Sequence, residues 1–211
     1  MEQLVTAFVT LFVTIDPAGL APLFLALTAG MNRDQRQQVA LRATLIALPI
    51  LVIFALAGSA ILTVFGITLP AFRIAGGILL FVIAFEMIFE KRQERHERSA
   101  TRVLTSEDIG HIAVFPLAIP LIAGPGAISA TILVASKNPG FVGMAELILV
   151  IFAILGLTFF VLALAERIEK LIGETGRIVI TRLLGVILAA LAVQYVADGV
   201  LAFLDAHQSA L

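Results

Sequence analysis

Polar residues are scarce inside six long stretches of this chain and crowd into the gaps between them. The apolar stretches cover residues 4–27, 43–65, 72–89, 112–135, 147–165 and 183–204. Each runs for about twenty residues without alternation, the length of helix that crosses ~30 Å of hydrocarbon. Barrel strands are about half as long and alternate apolar with polar positions. The pattern predicts an all-α membrane protein with six transmembrane helices, residues 1–211 forming a single transmembrane domain.

The most polar run, Glu90-Lys91-Arg92-Gln93-Glu94-Arg95-His96-Glu97-Arg98, separates three helices from three. It reads as a linker, about 90–110, between repeat one (about 1–89) and repeat two (about 111–211). Pro17 and Pro125 lie 108 residues apart, each inside the first helix of its half. In the third helices, Arg73-Ile74-Ala75-Gly76-Gly77-Ile78-Leu79 matches Arg182-Leu183-Leu184-Gly185-Val186-Ile187-Leu188 at an offset of 109. Three helices per repeat is an odd number, so the second copy enters the membrane in the opposite direction, as inverted repeats do. Of the 14 basic residues, 12 fall in the gaps after helices one, three and five: Arg33, Arg36 and Arg42; then Lys91, Arg92, Arg95, Arg98 and Arg102; then Arg167, Lys170, Arg177 and Arg182. Only Arg73 and Lys137 lie on the other side. The positive-inside rule makes the three basic gaps cytoplasmic, linker included, and puts both termini outside the cell inner membrane.

Composition narrows the functional classes. With 60% hydrophobic residues, 14% charged residues and a mean hydropathy of +1.08, no segment is left for a separate soluble domain. A net charge of -1 with basic residues confined to gaps argues against nucleic-acid binding. The chain has no Cys, which rules out disulfides, thiol catalysis and Cys-ligated metals. His96, His111 and His207 lack ligand spacing, so neither a metal nor a cofactor is expected. The first stretch lacks the basic n-region of a cleavable signal peptide and is expected to stay as the first span.

Two sites inside the apolar stretches carry candidate chemistry. Asp16-Pro17-Ala18-Gly19 should break helix one near its midpoint, since proline removes a backbone donor and clashes with the preceding turn. Gly124-Pro125-Gly126 should break helix four in the same way. Backbone groups freed at such breaks are tolerated in hydrocarbon only where they are buried or line a wet cavity. In an inverted repeat the two breaks would meet near the midplane and form one site. A carboxylate at that depth costs about 2.5–3.5 kcal/mol and so is usually functional. Half-helix N-termini there favour an anion, and Asp16 favours a cation, a combination complementary to a small zwitterion. Thr14, Ser129 and Thr131 lie close enough in sequence to add hydroxyls, although a bond to the preceding turn is the commoner use of such groups. Asp16 is also placed to carry a coupling proton.

Other intramembrane polar residues rank lower. Glu86, Gln194 and Tyr195 sit in helices three and six, with Glu86 matching Tyr195 at the repeat offset, and form a candidate gate. Asp198 reads as interfacial, while Arg73 and Arg182 read as anchors at helix ends. Gly76, Gly77, Gly185 and Ala189 should allow close helix packing or contacts in a homo-oligomer.

The segments Asp16-Pro17-Ala18-Gly19-Leu20-Ala21-Pro22 and Ala123-Gly124-Pro125-Gly126-Ala127-Ile128, in a six-span chain of this length, resemble the MarC (UPF0056-type) family of bacterial and archaeal inner-membrane proteins. The resemblance covers essentially the whole chain. It implies that fold and, through the amino-acid exporter group around the family, transport of small neutral amino acids such as glycine and alanine; the family's multiple-antibiotic-resistance name does not by itself imply drug efflux. Three classes of function remain. A secondary transporter would be driven by a proton or sodium gradient, since the chain has no Walker motif. The alternative is a lipid-handling protein that moves an anionic lipid-linked phosphate, for which Asp16 would be a handicap. Intramembrane hydrolysis needs two facing carboxylates or a His/Glu cluster, so an enzyme is not expected.

Overall fold

Proline, glycine and short polar caps set the helix boundaries in a computed structural model that describes residues 2–89, 109–137 and 139–208. Helix α1 (Glu2–Ile15) stops at Asp16, whose backbone is left-handed at φ 53° and ψ 66°. Helix α2 (Pro17–Leu27) then starts with proline at its first position, where the missing N–H has no partner to lose. Helix α3 (Arg33–Val64) opens with a reciprocal cap: Gln35 N donates to Asn32 Oδ1 at 2.9 Å, and Asn32 N donates to Gln35 Oε1 at 2.9 Å. That cap starts α3 ten residues ahead of the apolar stretch at 43–65, so Arg33, Arg36 and Arg42 lie on a helix rather than in a loop. Helix α4 (Leu69–Ile88) follows, capped by Thr68.

The second half is less regular. A single turn, α5 (Ile109–Ile112), runs into a wide coil, Ala113–Ile122, in which Phe115 and Ile119 have extended backbone (φ -131° and -127°) just before Pro116 and Pro120. Prolines bias the residue before them away from helical geometry, so the stretch at 112–135 is not one helix with one break. Only α6 (Pro125–Lys137) is regular, and the two limbs meet at 52°. Helix α7 (Phe141–Ala163) is followed almost at once by α8 (Ala165–Gln208), which departs from helical geometry at Gly173 (φ 67°). Arg167, Lys170, Arg177 and Arg182 therefore sit on α8, where the sequence pattern had suggested a loop. The polar run at 90–98, with His96, lies outside the described residues, as does Arg102.

Among the described residues the architecture is all helical. Five helices or joined helices are long and apolar enough to span a membrane, and the bent pair at 110–137 makes a sixth if it counts as one span. Helices α4 and α8 form the most extensive pair. They run antiparallel: a Cβ on Gly77 would lie 2.9 Å from Ala192 O, one on Gly185 3.0 Å from Met87 Cβ, and one on Gly199 3.0 Å from Ile74 N. Only the absence of side chains lets the two backbones come this close. The interior is closed by Leu11, Ile15, Leu51, Leu80, Leu117 and Leu133, all essentially inaccessible. Leu45, Leu56, Phe81, Phe152, Leu183 and Val186 instead project outward and are exposed. An apolar shell of that extent suits hydrocarbon rather than water, and the chain is a multi-pass membrane protein.

Candidate functional site

Asp16 is 2% exposed and occupies the joint between α1 and α2. Its Oδ1 accepts from Gly19 N at 3.0 Å, so the carboxylate caps α2. Left-handed backbone is open to Asp at modest cost because its short side chain bonds locally. A Cβ on Gly19 would overlap the Asp16 carboxylate, which makes glycine a steric requirement at this position. Pro17 and Gly19 are both buried.

The start of α6 lies against the end of α1. A Cβ on Gly126 would sit 3.3 Å from Thr14 Cγ2 and would overlap Ile83, so the first turn of α6 touches the last turn of α1. Gly124 is equally constrained, since a Cβ there would collide with Pro120 O. Gly124 and Gly126 are buried, whereas Pro125 is exposed. Gly124 has no side chain with which to cap α6, so the amides of its first turn are left to other acceptors. Thr14 and Gly126 thus come together where α1 meets α6, with Asp16 two residues beyond Thr14 in the chain and Gly124 two before Gly126, and Ser129 follows one turn on, 9% exposed.

The hydroxyls are largely committed to their own helices. Thr14 Oγ1 donates to Thr10 O at 2.6 Å, and Thr131 Oγ1 donates to Ala127 O at 2.7 Å. What they offer a ligand is acceptor capacity rather than a donor.

The candidate gate does not assemble as a unit. The antiparallel crossing sets Glu86 beside the level of Gly185, about ten residues along α8 from Tyr195, or roughly 15 Å. Gln194 is exposed and donates to Asp198 Oδ1 at 2.7 Å. Tyr195 is buried at 1% exposure. Its neighbours are residues that sequence reasoning treated as anchors or boundary markers: Arg73, Lys137 and Asp198 share a 510 Å³ pocket with it. No spacing rule links these positions, which come from three different helices. At the opposite end of the bundle, Arg36 of α3 pairs with Glu166 of α8 beside a second pocket of 370 Å³.

Comparison with known proteins places these features in a wider group. Residues 1–204 match the model for the MarC family integral membrane protein. The UPF0056 membrane protein MJ1677 of Methanocaldococcus jannaschii is 37% identical over 200 residues, covering 95% of this chain and 97% of that protein. YvbG of Bacillus subtilis is 34% identical, covering 93% of each chain, and YhcE of Escherichia coli is 35% identical, covering 92% and 89%. Both carry the same UPF0056 description. No solved structure matches.

Proposed function

This chain belongs to the MarC family of integral membrane proteins, and from that premise we propose that it is a secondary transporter of small neutral zwitterions such as glycine and alanine. The observation that supports the reading is the contact of the first turn of α6 with the last turn of α1, which ends at the buried carboxylate of Asp16. Asp16 holds the ammonium of the substrate. The first turn of α6, with its positive dipole end, holds the carboxylate. With Asp16 and Thr14 both buried, this conformation is an occluded one.

The reading includes two inverted three-helix repeats in the cell inner membrane, with both termini extracytoplasmic. Reciprocal packing supports the repeats. Helix α4 packs on α8 and α3 on α7, while the contact of α2 with α8 has its counterpart in that of α4 with α6. Gly77 meets Ala192 and Val196, and Gly185 meets Ala84, Met87 and Ile88; an offset of 109 carries one set onto the other to within a residue. The basic residues at the start of α3 and along α8 support a cytoplasmic assignment for those ends. Transport of this kind needs the two ends to open in turn, coupled to a proton or sodium gradient, and does not call for a catalytic centre.

The test is counterflow of labelled glycine and alanine into liposomes that contain the purified protein. The expected result is saturable counterflow in the unmodified protein and none in Asp16→Asn. Asn caps helices as well as Asp and tolerates left-handed backbone, so this variant keeps the joint and removes only the charge. Robust movement of a lipid-linked phosphate without counterflow of any amino acid would overturn the proposal.

A further inference from the structure

The 510 Å³ pocket lies at the end of the bundle where α1 begins and α6 finishes, and its size falls in the ~300–1,000 Å³ range of small-molecule sites. Arg73, Ser136, Lys137, Tyr195 and Asp198 supply its polar wall, with Gln3 and Thr6 beside them. Two cations thus share it with one acid. Asp198 is engaged on both oxygens: Oδ2 pairs with Lys137 Nζ at 2.8 Å, and Oδ1 takes the bond from Gln194. Arg73 makes only long contacts from Nη2, 3.4 Å to Ser136 O and 3.5 Å to Ser136 Oγ, and its buried Nε has no acceptor among the described residues.

Tyr195 adds a second unmatched donor. Its ring lies 4.5 Å beneath Lys137 Nζ. Its buried hydroxyl faces Thr10 without completing a hydrogen bond among the described residues, although the Thr10 oxygen, whose own proton goes to Thr6 O at 2.7 Å, keeps acceptor capacity. The polar wall therefore sets two cations against one acid, with Arg73 Nε and the Tyr195 hydroxyl both without a hydrogen-bond partner among the described residues. Leaving a buried donor unmade costs about 1–3 kcal/mol, more for a charged group, and a single anion between Arg73 and Tyr195 would relieve both. A carboxylate suits the planar fork of a guanidinium.

We propose that this pocket is an entry site for the transported amino acid, distinct from the Asp16 joint. Arg73 and Tyr195 hold the substrate carboxylate, and Asp198 takes the ammonium in exchange for Lys137. The choice of substrate rests on the transporter reading. The route inward passes Tyr195 and Thr10 to Thr14 and Asp16, six residues or about 9 Å along α1 from Thr10. Lys137, released from Asp198, stays over the Tyr195 ring as a cation on an aromatic face.

Tyr195 is the only tyrosine in a chain without tryptophan, so a label on tyrosine reports this pocket alone. The experiment incorporates 3-fluorotyrosine into the full chain in lipid nanodiscs. The single fluorine resonance is then followed by NMR at constant ionic strength as glycine, acetate, methylammonium or inorganic phosphate is added. Saturable shifts with glycine and acetate, and none with methylammonium, are expected. Arg73→Gln should raise the half-saturating concentrations at least tenfold, and Arg73→Lys, which keeps the charge without the fork, should recover part of the loss while preserving the fold. Asp198→Asn should weaken glycine while sparing acetate. No saturable shift with glycine or acetate, an equal response to methylammonium, or indifference to both Arg73 variants would overturn the site. A response dominated by phosphate would overturn its assignment to amino acids. Counterflow without a fluorine shift sinks this pocket and leaves the transporter reading standing; a shift without counterflow does the reverse.

Discussion

Substituting Gly19 by Ala separates the steric demands of the Asp16 joint from ordinary helix preference. In a helix Ala is better than Gly by about 0.5–1 kcal/mol, so propensity alone would make the variant more stable. At this position the added methyl overlaps the Asp16 carboxylate, which must leave Gly19 N. Losing an N-cap costs about 1 kcal/mol and up to 2. Because this one bond ends on a buried charged acceptor, its loss falls toward the upper end of ~1–3 kcal/mol. The net expectation is destabilisation of about 2 kcal/mol, or roughly 4–8 °C in melting temperature for a chain of this size. Gly156 in α7 is the matched control, because a Cβ there meets nothing within 4 Å. Melting followed by circular dichroism in detergent should fall for Gly19→Ala and hold or rise for Gly156→Ala. Equal behaviour of the two variants, with glycine counterflow intact in both, would refute the reading of Gly19 as the residue that holds Asp16 in place.

Two further substitutions probe the packing and the far end of the bundle. Gly77→Ala drives a methyl against Ala192 O and should cost about 1–3 kcal/mol by prying α4 from α8, measured as a lower melting temperature and weaker cross-linking between engineered cysteines on the two helices. Glu166→Gln removes the partner of Arg36, but the Glu166 side chain is 61% exposed, so stability should change by no more than ~1 kcal/mol and the change should shrink further in high salt.

Composition and the length of the apolar stretches sufficed for an all-helical membrane protein, because a chain with no water around it must satisfy its backbone inside each helix. The dipeptides Asp16-Pro17 and Gly124-Pro125 stand where α2 and α6 begin, since proline acts on its own turn whatever surrounds it. Two other local signals lie outside the hydropathy pattern: Asn32 and Gln35 as a reciprocal cap that starts α3 early, and Pro116 with Pro120, which open the coil at Ala113–Ile122. Hydropathy also hid the helical character of Arg167, Lys170 and Arg177, because a stretch rich in charge can stay helical past the edge of an apolar run. Tertiary structure alone decided that Gly126 rests on Thr14, that Glu86 is kept apart from Tyr195 by an antiparallel crossing, and that Arg73, Lys137, Tyr195 and Asp198 face one pocket. Those pairings depend on how separate helices cross and rotate against each other, which small residues such as Gly77 and Gly185 permit but no local pattern encodes.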